Sequence, residues 1–125
     1  MTVTEKPAEP VRDGASAATA FTVADAKAYY DAGKDTSVKV WVKGAIIGSM
    51  VDNKLVEGAT GASNTNMAIG TKESYLPVQL PSGDVRSALN LQENPANLGK
   101  EVVLYGTIEK YFSVAGVKNV TDYEL

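Results

Sequence analysis

The 125-residue chain contains neither histidine nor cysteine. Without cysteine it can form no disulfide, thiolate metal site or cysteine nucleophile. Without histidine it lacks the usual general base near neutral pH, the Ser-His-Asp and Cys-His arrangements, and nearly every type of zinc site. Carboxylate-only or lysine-based chemistry remains open. The two absences predict a protein that is not an enzyme and that uses no metal or other cofactor.

Long apolar runs and an excess of positive charge are also missing. No stretch approaches the roughly 18 apolar residues of a membrane-spanning helix, and the N-terminus lacks the charged-then-apolar pattern of a signal peptide. The net charge is -3. Proteins that coat DNA through phosphate contacts are usually basic on the binding face. The mild acidity therefore argues against indiscriminate DNA binding, although it permits a local basic patch.

Residues 1–20 differ in composition from the rest of the chain. They are rich in Pro, Ala, Thr, Ser and charged residues, and they contain no aromatic residue or periodic apolar pattern. This composition predicts a flexible leader or tether, with an interaction tail as the alternative. Residues 21–125 are then one domain with a modest core. Thr22 and Asp25 have the spacing of a capping box and Gly33 can end a helix, which predicts a short N-terminal helix between them.

From residue 37 the apolar period changes to two. Val38, Val40 and Val42 alternate with Lys39, Trp41 and Lys43, which predicts a half-buried strand that continues through 45–48. Further strands are predicted over 66–70, 75–80, 100–112 and 117–125. A short helix is predicted over 85–91, a loop over 49–65 and a hairpin turn over 113–116. In the third strand, Tyr75, Pro77 and Gln79 are predicted to face outward.

The resulting order is three strands, a helix and two strands. This order is typical of the OB fold, a five-stranded Greek-key barrel with a helix between strands three and four. The glycines at positions 44, 99 and 106 support the assignment, because they fall where barrel strands bend or begin. The sequence therefore predicts a mainly β, OB-like barrel with a short additional N-terminal helix.

Several stretches also resemble an uncharacterised OB-like family of exported gut-bacterial (Bacteroidetes) proteins, a domain of unknown function. These stretches are residues 40–44, 63–66, 76–83, 85–91, 94–100, 109–112 and 116–121. The resemblance covers residues 21–125. It implies the fold and export to the periplasm or cell surface, and it implies no reaction. The loop over 49–62 differs in length and composition from typical members, so the resemblance does not identify a ligand.

OB domains commonly bind ligands on strands two and three and on the adjoining loops. The residues that this geometry selects are aromatic or long and polar, and they form the predicted ligand-binding set: Lys39, Trp41, Lys43, Lys72, Tyr75, Gln79, Tyr111, Phe112 and Lys118. Aromatic rings among lysines suit single-stranded nucleic acid, because bases stack on the rings and lysines contact phosphates. Sugars also stack on aromatic rings, so an oligosaccharide would suit the same residues.

Each of these residues also has a purely structural interpretation. Trp41 would cover the barrel beneath the N-terminal helix, and Tyr111 and Phe112 would pack within the last hairpin. The leading hypothesis is a non-enzymatic OB-fold binding module for single-stranded nucleic acid. The alternative is a protein- or carbohydrate-interaction domain of an exported or surface-attached bacterial protein, and an accessory domain of a larger machine also remains open. The sequence does not indicate an oligomeric state.

Overall fold

A computed structural model describes residues 12–125. The strands are β1 (Lys39–Val51), β2 (Lys54–Glu57), β3 (Asn66–Gly70), β4 (Tyr75–Gln79), β5 (Glu101–Tyr111) and β6 (Val114–Glu124). The helices are α1 (Val23–Asp31) and α2 (Asp84–Leu89), and single 3-10 turns lie at Ala17–Thr19 and Pro95–Asn97.

The long first strand closes the barrel. The first half of β1 pairs antiparallel with β5, and its second half pairs with β3 on one side and with β2 on the other. Beyond β3 the sheet continues through β4 and β6 and returns to β5. The only parallel contact among these strands, Val78 with Val117, joins β4 to β6. This strand order, with α2 between β4 and β5, confirms the predicted mainly β OB-type barrel.

Alternating apolar side chains fill the interior, as the sequence period predicts. Val40 and Val42 of β1 are buried, and so are Leu104 and Ile108 of β5. The helices add buried residues to the same cluster, including Leu89 of α2. The largest fully buried side chains are Ile46, Met67, Ile69, Leu76, Leu80, Leu89, Leu91, Leu104 and Ile108. One continuous core therefore holds the barrel and both helices together.

The segment predicted as a loop over 49–65 contains regular structure, and this part of the prediction was wrong. β1 extends to Val51, and β2 returns beside it after the two-residue turn Asp52-Asn53. The φ angles of these two residues are 52° and 63°, as a tight hairpin turn with two left-handed central residues requires. Only residues 58–65 remain a connecting loop.

The last hairpin also turns earlier than predicted. Phe112 and Ser113 form the turn, with φ angles of 52° and 67°. Val114 already pairs with Tyr111, and Gly116 pairs with Glu109. The prediction of a turn over 113–116 was wrong because the left-handed positions are occupied by Phe112 and Ser113 and not by a glycine.

Two side chains differ from the prediction in their exposure. Val38 is 48% exposed, because β1 begins one residue later and Val38 lies outside the ladder. Pro77 lies on the outer side of β4, as predicted, but it is buried and not exposed. A Cβ added to Gly116 would lie 2.8 Å from the Pro77 carbonyl oxygen and 2.7 Å from Tyr111 Cβ. The absence of a side chain at Gly116 thus allows Pro77 and Tyr111 to lie close to the β6 backbone.

The segment before α1 pairs with the free edge of β1. The Trp41 N–H donates to the Gly14 carbonyl oxygen at 2.8 Å, and the Phe21 N–H donates to the Trp41 carbonyl oxygen at 2.9 Å. Gly14 and Ala20 are buried. Residues 12–20, which composition assigned to a flexible leader, therefore pack on the barrel. Residues 1–11 of that predicted leader lie outside the described residues.

The start of α1 has the predicted capping box. The Asp25 N–H donates to Thr22 Oγ1 at 3.2 Å, and the Thr22 N–H donates to Asp25 Oδ2 at 3.0 Å. Arg12 Nε also donates to Asp25 Oδ2, at 2.7 Å. Gly33 follows the helix with a φ of 69°, as a left-handed helix terminator should. Local sequence signals thus determined both ends of this helix.

Candidate functional site

One outer surface of the barrel is formed by β1, β5 and β6. Lys39, Thr107 and Lys118 lie directly opposite one another on these three strands. Directly opposed residues point to the same side of a sheet. Their neighbours Val40, Ile108 and Val117 are in the core, so this row faces outward. We call this surface the β1–β5–β6 face.

The first aromatic pair on this face is Trp41 with Tyr105. The two residues are opposite each other in the ladder, and their ring centroids are 5.0 Å apart with an interplanar angle of 32°. Lys39 Nζ lies 5.9 Å from the Tyr105 ring centroid and donates to Thr121 Oγ1 at 3.1 Å. A lysine at this distance is attracted by the ring quadrupole. Trp41 is half-buried and lies outside the core cluster.

The second pair lies at the hairpin end of the same strands. The ring centroids of Tyr111 and Phe112 are 4.4 Å apart, and Lys118 Nζ lies 5.5 Å from the Tyr111 ring centroid. Burial raises the pKa of Tyr111 above its ordinary value, and the positive charge of Arg86 opposes this rise. Arg86 is held on α2 by donating from Nε to the Leu80 carbonyl oxygen at 3.0 Å. Both aromatic pairs therefore have a lysine over one ring. We call them the two aromatic–lysine pairs.

A polar pocket of about 670 Å³ lies on this face. Its lining includes Lys39, Pro81, Thr107, Glu109, Asn119 and Thr121. Asn119 Nδ2 donates to Glu109 Oε2 at 2.9 Å and to Thr107 Oγ1 at 3.1 Å. The Thr107 hydroxyl also donates to Glu109 Oε2. The carboxylate is thus held by two donors on one of its oxygens.

A β-bulge positions this hydrogen-bonded group. The register between β5 and β6 shifts after Thr107–Lys118, so that Tyr105 pairs with Asp122. Asn119 lies in the extra segment, with a φ of 55°. Asparagine tolerates this left-handed conformation better than most residues. The bulge therefore turns the Asn119 side chain toward Thr107 and Glu109.

The remaining members of the predicted ligand-binding set lie at different distances from the two aromatic–lysine pairs. Lys43 is opposite Val103 on the β1–β5–β6 face. Gln79 follows Val78, which pairs with Val117, so Gln79 lies beside Lys118 at the edge of the face. Tyr75 begins β4, and Lys72 is exposed in the turn before it. Within residues 12–125, neither makes a ring or cation contact with the aromatic–lysine pairs.

The surface on which OB domains commonly bind ligands is largely closed in this protein. That surface corresponds to the outer side of β3 and β4, where Ala68 lies opposite Pro77. Both residues are buried although neither belongs to the core cluster. Aromatic and cationic side chains instead concentrate on β1, β5 and β6.

Sequence patterns alone did not identify Tyr105, Thr107, Glu109, Asn119 or Arg86 as site residues. Tyr105 alternates with buried residues on β5, which showed that it faces outward, but only the ladder places it against Trp41. The other residues meet through pairing across the bulge and through packing of α2.

Charges of both signs occur on the face. Asp122 lies opposite Tyr105, and Glu124 lies opposite Val103. Among residues 12–125, no group of three or more His, Cys, Asp or Glu side chains is arranged to hold a metal ion. No helix in this part of the chain is long and apolar enough to cross a membrane. The face therefore offers aromatic rings and a few lysines in a nearly neutral setting.

Known proteins provide three comparisons. The hypothetical protein ygiW from E. coli superimposes with a TM-score of 0.45 and 13% sequence identity, over 82% of this chain and 85% of that protein. The endonuclease YhcR of Bacillus subtilis (strain 168) is 37% identical over 86 residues, which are 63% of this chain and only 7% of the endonuclease. Residues 21–125 match the family described as a domain of unknown function, DUF6359. This match covers the whole barrel, and the chain belongs to that family.

Proposed function

We propose that this domain is a non-enzymatic OB-fold module that binds single-stranded nucleic acid on the β1–β5–β6 face. The observation that carries the proposal is the repeated pairing of two contacting aromatic rings with a lysine. Lys39 lies over Tyr105, which contacts Trp41. Lys118 lies over Tyr111, which contacts Phe112. Rings that stack on bases, with cations beside them for phosphates, are the usual components of single-strand binding.

The spacing of the two pairs suits a strand that runs along β5. From Tyr105 to Tyr111 an extended strand rises roughly 20 Å. This distance is too large for one base, so the two aromatic couples would stack on different bases. Lys39 and Lys118 lie in one row between these couples. Phosphates that link the two bases would therefore pass the lysines.

The charge distribution predicts binding with a shallow salt dependence. Lys39, Lys118 and the Glu109 carboxylate lie directly in the path, while Asp122 and Glu124 border it. Each phosphate neutralised on a single strand contributes about −0.7 to the slope of log K against log salt. Two lysine contacts therefore predict a slope of about −1.4, with most of the affinity coming from stacking.

The relative in Bacillus subtilis supports the ligand class. Its name describes an endonuclease, and the similar segment forms 7% of its length. A short segment is sufficient for a module that holds the nucleic acid while another region performs the chemistry. The lack of histidine and cysteine in the present chain agrees with such a binding role. We further propose that the module acts after export, as the resemblance noted for residues 21–125 implies, and cell fractionation would test this.

The test uses the intrinsic fluorescence of Trp41, the single tryptophan of the chain. The protein is titrated with short single-stranded DNA and RNA at several salt concentrations. We expect quenching with a salt slope near −1.4, and Lys118→Ala should reduce that slope by about 0.7. Lys54→Ala is the matched control, because Lys54 is exposed on β2 and away from the face. Quenching that is equal for both variants, or absent with every oligonucleotide, would contradict the proposal.

Carbohydrate is the second candidate ligand, and the polar pocket at Glu109 and Asn119 favours it. A carboxylate and an amide beside aromatic rings also suit the hydroxyls and ring faces of sugars. An oligosaccharide panel in the same titration separates the candidates, because uncharged sugars would quench Trp41 with almost no salt dependence. If the partner is a protein, neither the oligonucleotides nor the sugars should change Trp41 fluorescence.

A further inference from the structure

The pocket on the β1–β5–β6 face contains two acceptor atoms to which no group of residues 12–125 donates. Glu109 accepts its hydrogen bonds, from Thr107 and Asn119, through Oε2. Within residues 12–125, Oε1 of the same carboxylate accepts none. Asn119 makes both of its side-chain hydrogen bonds by donating from Nδ2. Its Oδ1 atom is therefore a further acceptor.

These acceptors are held rigidly. The Thr107 hydroxyl is positioned between Glu109 and the Lys118 carbonyl oxygen, from which it lies 3.2 Å away. The bulge with Asn119 in the left-handed region fixes the other donor to the carboxylate. Because Oε2 is held by two donors, Oε1 is the oxygen that is left to accept from a ligand. A ligand donor would therefore meet a preorganised acceptor.

A positive charge lies on the same pocket. Lys39 lines it and donates one of its three N–H groups to Thr121 Oγ1 at 3.1 Å. Lysine and carboxylate together allow a phosphodiester to approach without net repulsion. The site therefore combines acceptors for hydroxyl hydrogens with a cationic donor.

We propose that this pocket binds the ribose 2′-hydroxyl of RNA, with Glu109 Oε1 accepting its single hydrogen, so that the domain prefers RNA to DNA. The inference rests on the proposed function, because it specifies the sugar of the same bound strand. The 2′-hydroxyl is both donor and acceptor, and it is the group that distinguishes RNA from DNA at a protein site. Deoxyribose has no hydrogen to donate there, so it would leave the carboxylate oxygen desolvated and unpaired.

The experiment compares three oligonucleotides of one base sequence: RNA, DNA containing uracil, and 2′-O-methyl RNA. Trp41 fluorescence reports each dissociation constant. A hydrogen bond to a charged acceptor predicts that RNA binds about tenfold more tightly than the DNA. The 2′-O-methyl strand keeps the oxygen and lacks the hydrogen, so it should bind as the DNA does.

Two variants connect the preference to the pocket. Glu109→Gln removes the charge and permits an amide NH₂ to replace the free acceptor, so the RNA/DNA ratio should fall toward one. Asn119→Gly removes the Nδ2 donor that holds Glu109 while keeping a residue that tolerates positive φ, so it should also lower the ratio. Glu124→Gln is the control, because it removes one negative charge from the same face at a position opposite Val103. It should strengthen RNA and DNA binding equally and leave the ratio unchanged.

The outcomes separate this inference from the function on which it rests. Equal affinity for RNA and DNA, or an RNA preference that persists in both pocket variants, would overturn the ribose assignment while single-strand binding stands. Binding of no oligonucleotide, or of oligosaccharides alone, would overturn both proposals. A melting curve for each variant shows whether a lost preference comes from an intact fold.

Discussion

Replacing Gly106 with alanine should destabilise the barrel at the point that also positions the candidate site. Gly106 lies on β5 opposite the bulge of β6. A Cβ at this position would lie 2.5 Å from the Lys118 carbonyl oxygen, 3.1 Å from Val117 Cγ1 and 3.2 Å from Val120 Cγ2. The nearest atom belongs to the backbone, so it cannot move away by a change of rotamer. The methyl group can be accommodated only if β6 shifts.

The expected loss in the free energy of unfolding is the difference between two opposing effects. Introducing excess volume into a packed interior costs about 1–3 kcal/mol. Alanine in place of glycine would recover about 0.4–1 kcal/mol by restricting the unfolded chain. Since the clash is with a carbonyl oxygen, we expect the upper part of the range to apply, for a net loss of about 2 kcal/mol. The same shift would move the Lys118 carbonyl oxygen away from the Thr107 hydroxyl, and so disturb the group that holds Glu109.

Urea denaturation measures this effect as a lower midpoint at an unchanged m-value. Gly33→Ala is a suitable control: its φ is 69° and nothing lies within 4 Å of its added Cβ, so it should cost only the left-handed strain of about 1 kcal/mol. In the double variant Gly106→Ala/Val120→Ala, removing the side-chain contact should give little rescue. A Gly106→Ala protein as stable as the parent would refute the register assigned to β5 and β6 around the bulge.

Three further variants are checked by the same denaturation midpoint. Asn53→Gly should stabilise the protein by about 0.5–1 kcal/mol, because glycine is preferred at the second left-handed position of a tight hairpin turn; a loss of stability would contradict the turn geometry. Leu104→Ala should cost about 2–5 kcal/mol, because the side chain is fully buried, and a cost below 1 kcal/mol would contradict its place in the core. Asp25→Asn should cost about 1 kcal/mol by weakening the capping box of α1. Burial raises the pKa of Asp25, but hydrogen bonds from Arg12 and Thr22 outweigh it and hold the pKa below the ordinary value of 3.8. The contribution of Asp25 is therefore complete above that value and is lost as the pH falls through the lower folded-state pKa, whereas Asp25→Asn should lack this component of acid sensitivity.

Local periodicity explains which parts of the fold were predictable. The alternation around Val40 and Val42, and around Leu104 and Ile108, identified the buried sides of β1 and β5, because side-chain direction in a strand has a period of two. The capping box of α1 was predictable for a similar reason, since its two residues are only three positions apart. The hairpin at Asp52-Asn53 was missed and the turn at Phe112-Ser113 was misplaced, because these residues adopt left-handed conformations without glycine.

For the candidate site, too, local sequence predicted some features and tertiary packing decided the others. The sequence alone established that Lys39 and Trp41 face away from the valines of β1, because neighbouring residues in a strand point to opposite sides. Only the tertiary structure decided that Tyr105 lies against Trp41, that Glu109 and Asn119 meet across the bulge, and that the usual OB surface at Ala68 and Pro77 is closed. These contacts depend on strand register and on the bulge. Both arise from packing between residues that are distant in the chain, and no local pattern encodes them.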